Sequence, residues 1–164
     1  MSDHRPGPAT VTTAAEDAEQ IRQLKYRYLR TLDLKHWDEF AACFVPDATG
    51  DYAGLSFGDR EALVAFMRGH LGPELISMHH AHHPEIELDG DRATGTWYLH
   101  DRVLVPEQHL VLEGAAFYRD RYLRTPSGWR IAHTGYERTY EVTFSTAGLA
   151  SFRVERGRAY DDLG

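Results

Sequence analysis

Hydrophobic periodicity changes once along this chain, near Ile76, and that change restricts the fold to few possibilities. Before it, apolar residues recur every three or four positions: Ile21, Leu24, Tyr28 and Leu32, then Trp37, Phe40, Ala41 and Phe44, then Leu63, Phe66 and Met67. Such spacing puts each set on one face of a helix. Thr13 with Glu16 three residues on forms a capping box for a helix over 14–34. Pro46 stops a second, short helix begun at Trp37, a strand follows near 49–52, and a third helix covers 59–71. From Ile76 the period is two, in runs over 76–88, 92–105, 109–124 and 129–144, parted by turn signals such as Asp89-Gly90-Asp91 and Pro126-Ser127-Gly128. Helices first and an antiparallel meander afterwards predict a segregated α+β fold, with the helices covering one face of a twisted sheet and leaving a cavity.

At 164 residues the chain fits one domain. Residues 1–12 hold Pro6, Gly7 and Pro8 without an apolar period and read as a flexible leader, 13–152 as the domain, and 153–164 as a polar tail that lies across a neighbour or across a pocket mouth. A formal charge of -7 repels phosphate backbones, and Arg119, Arg121 and Arg124 read as a solvated strand face, so no nucleic-acid partner is expected. Cys43 is the only cysteine, which excludes an intramolecular disulfide and a multi-thiolate metal site. No apolar run resembles a signal peptide or a membrane span, and a cytoplasmic protein is expected.

Side chains alternate along a strand, so a polar residue within an apolar set must be either satisfied or functional. Asp101 shares its face with Gly95, Trp97, Leu99, Val103 and Val105. Arg138 shares the alternation of Tyr136, Tyr140, Val142 and Phe144, and a pairing with Asp101 would serve as a structural ion pair or as a carbonyl anchor. His79, His80, His82 and His83 form the densest ionisable cluster, of the residue type that exchanges protons near neutral pH. Strict alternation groups His80 and His82 with Ile86 and Leu88, and His79 and His83 with Glu85 and Glu87; Pro84 marks a place where a bulge inverts that parity. Asp33 closes the first helix, where its charge opposes the negative end of the dipole, and this suits either turn capping or a role outside the helix.

The stretch Tyr28-Leu-Arg-Thr-Leu-Asp33-Leu-Lys-His-Trp37, then Phe44 and Pro46-Asp47-Ala48, resembles the opening of SnoaL-like proteins in the nuclear transport factor 2-like superfamily. His79-His-Ala-His-His-Pro84-Glu-Ile86, Ala93-Thr-Gly-Thr-Trp97 with Asp101, and Gly128-Trp129-Arg130-Ile131 with Tyr136 and Arg138 extend the likeness over most of the chain. The resemblance implies a cone in which a curved, mostly antiparallel sheet wraps round three N-terminal helices. It is nearest to dehydratase-type members, scytalone dehydratase and bile-acid 7α-dehydratase. By position it implies Asp33 and His79 as a catalytic dyad, Tyr28 as a third catalytic residue that binds or polarises the substrate oxygen, and Asp101 and Arg138 as further site positions; His82, Trp97 and Tyr136 complete the expected substrate-binding set. Val103 stands where scytalone dehydratase has a second pocket histidine. No cofactor and no metal are implied, and a homodimer or homotrimer through the outer face of the sheet is.

The function expected is a lyase or isomerase that moves a proton beside a carbonyl in a hydrophobic polycyclic or aromatic small molecule. The alternative is a non-catalytic small-molecule-binding or accessory protein of the same fold. A metal site on His80-x-His82 with Glu87 is a third reading, opposed by a helical first half that does not suit a jelly roll.

Overall fold

A computed structural model describes residues 12–160, outside which lies most of the expected leader and the end of the expected tail. The first helix, α1 (Ala14–Asp33), opens on its capping box: the Thr13 hydroxyl accepts from the Glu16 N–H at 3.3 Å and the Glu16 carboxylate accepts from the Thr13 N–H at 2.7 Å. Its buried stripe includes Ile21, Leu24, Tyr28 and Leu32. Lys35, at φ 58°, turns the chain into α2 (Trp37–Ala41). This helix is shorter than the aromatic spacing suggests, because Phe44 already opens strand β1 (Phe44–Tyr52). Ala53 and Gly54, both at positive φ, make the tight turn to β2 (Leu55–Phe57), a strand too short to leave a periodic signal. Helix α3 (Arg60–His70) is capped by Asp59, whose carboxylate accepts from the Ala62 N–H at 2.8 Å.

Four long strands complete the chain: β3 (Ile76–Asp89), β4 (Arg92–Val105), β5 (Leu110–Thr125) and β6 (Gly128–Ser145). The six strands form one curved, unclosed sheet in the order β2-β1-β6-β5-β4-β3, with β1 parallel to β6 and the other neighbours antiparallel. The helices cover its concave face, where Tyr28, Phe40 and Phe44 pack with Trp97, Leu99, Tyr118, Tyr122 and Ile131. Arg124 does not lie on a solvated face with Arg119 and Arg121. It reaches back to α1, where its guanidinium pairs with Asp17, and the Trp129 indole donates to the same carboxylate at 3.1 Å. None of the described helices is long and apolar enough to cross a membrane.

Two of the sheet's bulges decide which residues near Asp33 and Arg138 face the helices. In β3, Ala81 pairs with Leu99 and Pro84 with Trp97, so three steps on β3 span two on β4. In β6, Tyr140 pairs with Ala115 and Arg138 with Ala116, so Thr139 is the extra residue. Each bulge inverts the alternation beyond it. Ser77, His79 and Ala81 therefore share the concave face with Ile86 and Leu88, and Tyr136 and Arg138 lie there while Tyr140, Val142 and Phe144 face solvent on the other side. The common face expected for Arg138 and those three residues is thereby corrected.

Candidate active site

Asp33, at the last turn of α1, meets the first half of β3. Three donors converge on its carboxylate: the Ser77 hydroxyl on Oδ1 at 2.8 Å, the His79 backbone N–H on Oδ2 at 2.9 Å, and His79 Nδ1 on Oδ1 at 2.6 Å. An ionised carboxylate only accepts, so the Nδ1 contact requires the proton to sit on Nδ1. That tautomer leaves the lone pair of Nε2 free to take a proton. The side chains of His79 and Asp33 are 12% and 17% exposed, so the pair is shielded yet reachable. A carboxylate that fixes one imidazole nitrogen and leaves the other free is an arrangement able to carry out general acid/base chemistry.

Asp101 is the cross-strand neighbour of His79, on the same face. It is buried, and Arg138 holds both of its oxygens, one of them through Nη2 at 2.8 Å. Burial works to lower the pKa of that guanidinium, but the hydrogen bonds and charge of Asp101 outweigh it and hold it above its ordinary value. The guanidinium also lies 5.0 Å from the centre of the Tyr136 ring. Gly114, next along the row from Asp101, makes the space: a Cβ there would lie 2.7 Å from Arg138 Nη1 and 2.8 Å from the Tyr140 carbonyl oxygen. Gly114→Ala is therefore expected to displace Arg138 from Asp101 and to cost about 1–3 kcal/mol, read from the urea midpoint of the variant. Tyr136 and Arg138 also border a cleft of about 510 Å³ with Asp51, Arg119, His133 and Glu137, to which Asp33, His79 and Asp101 do not contribute.

Not every expected residue joins this group. His82 sits at the β3 bulge, is exposed, and packs 5.8 Å from the Tyr98 ring and 6.4 Å from His80, on the convex side. The bulge that turns His79 inward leaves His82 outside, which corrects its place in the substrate-binding set. Trp97 is fully buried, its indole donating to the Tyr122 hydroxyl at 2.9 Å, so it belongs to the core network. Tyr28 is fully buried as well, hydrogen-bonded to Tyr52 at 2.8 Å and packed on Phe40, Phe44 and Tyr118; it touches the site only through these rings. His80, His82 and Glu87 do not converge, and among the described residues no three His, Cys, Asp or Glu side chains group as metal ligands.

A second polar centre, not among the residues singled out from the sequence, lies in the core. Lys25 Nζ lies 2.8 Å from Asp120 Oδ2 with both side chains fully buried. Tyr122 and Thr134 each donate to Asp120 at 2.7 Å, and the ammonium stands 3.4 Å from the centre of the Tyr118 ring and 4.4 Å from that of Tyr28. Burial pushes the Lys25 pKa down against the pull of Asp120, and pushes the phenols of Tyr28, Tyr52, Tyr118 and Tyr122 far up, so they stay neutral. Tyr118 meets Tyr136 edge to face at 5.6 Å between ring centres and Tyr52 meets it tilted at 5.3 Å, which links this centre to Arg138. A signal was present: Lys25 falls four residues after Ile21 and three before Tyr28, on the apolar stripe, and Asp120 alternates with Tyr118 and Tyr122.

A family model described as the SnoaL-like domain matches residues 13–135. The chain belongs to the SnoaL-like family. This places it in the nuclear transport factor 2-like superfamily and agrees with the α+β cone. In sequence it is similar to an uncharacterised protein of Mycobacterium tuberculosis, 29% identical over 118 residues, which covers 70% of this chain and 80% of that one. In structure it resembles a protein of Novosphingobium aromaticivorans provisionally named a scytalone dehydratase, with TM-score 0.73 and 19% identity over 78% of this chain and 87% of the other. It also resembles hexachlorocyclohexane dehydrochlorinase LinA type 3 of Novosphingobium barchaimii, with TM-score 0.73 and 16% identity over 87% of this chain and 97% of the other. Those likenesses establish the fold, and enzymes are among its neighbours.

Proposed function

We propose that this SnoaL-like protein is a cofactor-independent lyase or isomerase that moves a proton at the carbon next to a carbonyl in a hydrophobic aromatic or polycyclic small molecule. The observation that carries the reading is the 2.6 Å contact of His79 Nδ1 with an Asp33 carboxylate that Ser77 and the His79 N–H also hold. His79 Nε2 takes the α proton and an enolate forms. In a β-hydroxy carbonyl substrate the electron pair then forms the C=C bond as the hydroxyl leaves, and the protonated imidazole gives up its proton to release it as water. In an isomerase the same proton returns to another carbon. Arg138, held beside His79 by Asp101, donates to the substrate oxygen on which charge develops, and Tyr136 offers a ring for the substrate body. Tyr28, through Tyr52 and Tyr118, supports that wall from behind.

This assignment departs from a role for Tyr28 at the substrate oxygen, since its hydroxyl is buried against Tyr52. The test is a panel of hydrophobic ketones and β-hydroxy ketones, scored by thermal shift for binding and by mass spectrometry for loss of water or rearrangement. Dehydration or isomerisation of a panel member supports the reading. Compounds that bind and return unchanged, with no turnover anywhere in the panel, favour the non-catalytic binding protein.

A further inference from the structure

The chain beyond β6 has no part in the mechanism above, yet its last described turn lies against the surroundings of Asp33. Residues 152–157 form neither helix nor strand, and a single 3-10 turn, Arg158–Tyr160, follows. The Tyr160 hydroxyl donates to the Ser77 carbonyl oxygen at 3.2 Å, and Ser77 is the residue whose own hydroxyl holds Asp33. On the other side Lys35 Nζ donates to the Asp33 carbonyl oxygen at 3.2 Å and stands 5.2 Å from the centre of the Tyr160 ring. Arg156 packs behind the same ring at 5.4 Å and donates to the Pro73 carbonyl oxygen. Burial, with the charge of Asp33 added, raises the Tyr160 phenol above its ordinary value, so it stays a neutral donor. The segment otherwise lies in solvent, with Leu149 and Phe152 exposed. A terminal segment without anchors frays; the anchors here are all made to residues that flank Asp33 and β3.

We infer that Tyr160 is a further positioning residue of the Asp33–His79 site. It seats Ser77 and Lys35 on two sides of Asp33 and covers the approach by which the dyad meets water. Its catalytic consequence rests on the acid/base reading of that dyad, whereas the covering of His79 does not. Water kept from a general base and its carboxylate strengthens their interaction and keeps the base aligned.

The test needs no substrate. Full-length wild type, Tyr160→Ala and Tyr160→Phe are treated with diethylpyrocarbonate, and the rate at each histidine is followed by peptide mass spectrometry, the exposed His80 and His82 serving as internal references. Tyr160→Ala is expected to raise the His79 rate on the order of tenfold, with the reference histidines unchanged and Tm within about 2 °C of wild type, because only a local opening is released. Tyr160→Phe, which keeps the ring, is expected to stay near the wild-type rate. An unchanged His79 rate in Tyr160→Ala overturns the inference, as does a rise shared by all histidines, which marks general loosening. The two failures are separable. Uncovering of His79 in a protein without turnover sinks the lyase reading alone; turnover that needs Asp33 and His79 but ignores Tyr160→Ala, with the His79 rate unmoved, sinks this inference alone.

Discussion

Lys25→Met is expected to lower the unfolding free energy by about 3–5 kcal/mol, the cost of leaving a buried charge without its partner. Asp120 is fully buried, and Lys25 is its ionic partner. The Tyr122 and Thr134 hydroxyls can hold the carboxylate but cannot neutralise it. Asp120→Asn is expected to cost somewhat less, since Lys25, already pushed toward its neutral form by burial, can give up its proton instead. Lys25→Met combined with Asp120→Asn removes both charges and leaves an amide oxygen to accept from Tyr122 or Thr134. The double variant should therefore recover more than half of the loss of Lys25→Met. Urea unfolding of the four proteins, with slopes compared for two-state behaviour, gives the cycle directly. A double variant as unstable as the sum of the singles would mean that the pair is not coupled as the geometry describes. Because Tyr118 and Tyr52 join this centre to Tyr136 and Arg138, the double variant should also bind substrate less well while keeping its fold.

The largest functional effect is expected at the dyad. Asp33→Asn keeps one acceptor oxygen for His79 Nδ1 and the Ser77 hydroxyl, but turns an amide N–H toward the His79 backbone N–H and removes the carboxylate charge beside the imidazole. Turnover should fall by about 10²–10⁴-fold, the usual contribution of a positioned acid/base group. His79→Ala removes the base and should fall at least as far. Both should keep the wild-type fold, since His79 and Asp33 lie at the edge of the core with part of each side chain in water. A drop in kcat with KM nearly unchanged would place the loss in the transition state; a rise in KM alone would make the pair a binding device.

How far such a site can be read from residues alone depends on bulges. The period change at Ile76 places three helices and the four long strands within a few residues of where they fall, because helical and strand spacing are strong signals over ten or more positions. The three-residue β2 is below that length, and Phe44 reads as the last turn of a helix when it is the first residue of a strand. One extra residue at each bulge reverses every face assignment beyond it. That is why alternation alone favours His80 and His82 over His79, and why Tyr140, Val142 and Phe144 turn outward while Arg138 turns in. Asp33 was legible from its awkward place at the helix end, and Asp101 from its apolar neighbours. Lys25 and Asp120 carried the same kind of signal as Asp101, a charge inside an apolar alternation. Tyr160 carried none, since its place depends on where a segment without regular structure comes to rest.

If His79 moves a proton at carbon, deuterium wash-in measures that step without waiting for a complete reaction. A ketone that binds the protein is incubated in D2O, and incorporation at its α carbon is followed by NMR in wild type and in His79→Gln. Exchange above the buffer rate is expected in wild type, with a loss of about a hundredfold or more in the variant. Equal incorporation in the two proteins, with the ketone bound by both, would contradict proton transfer by His79.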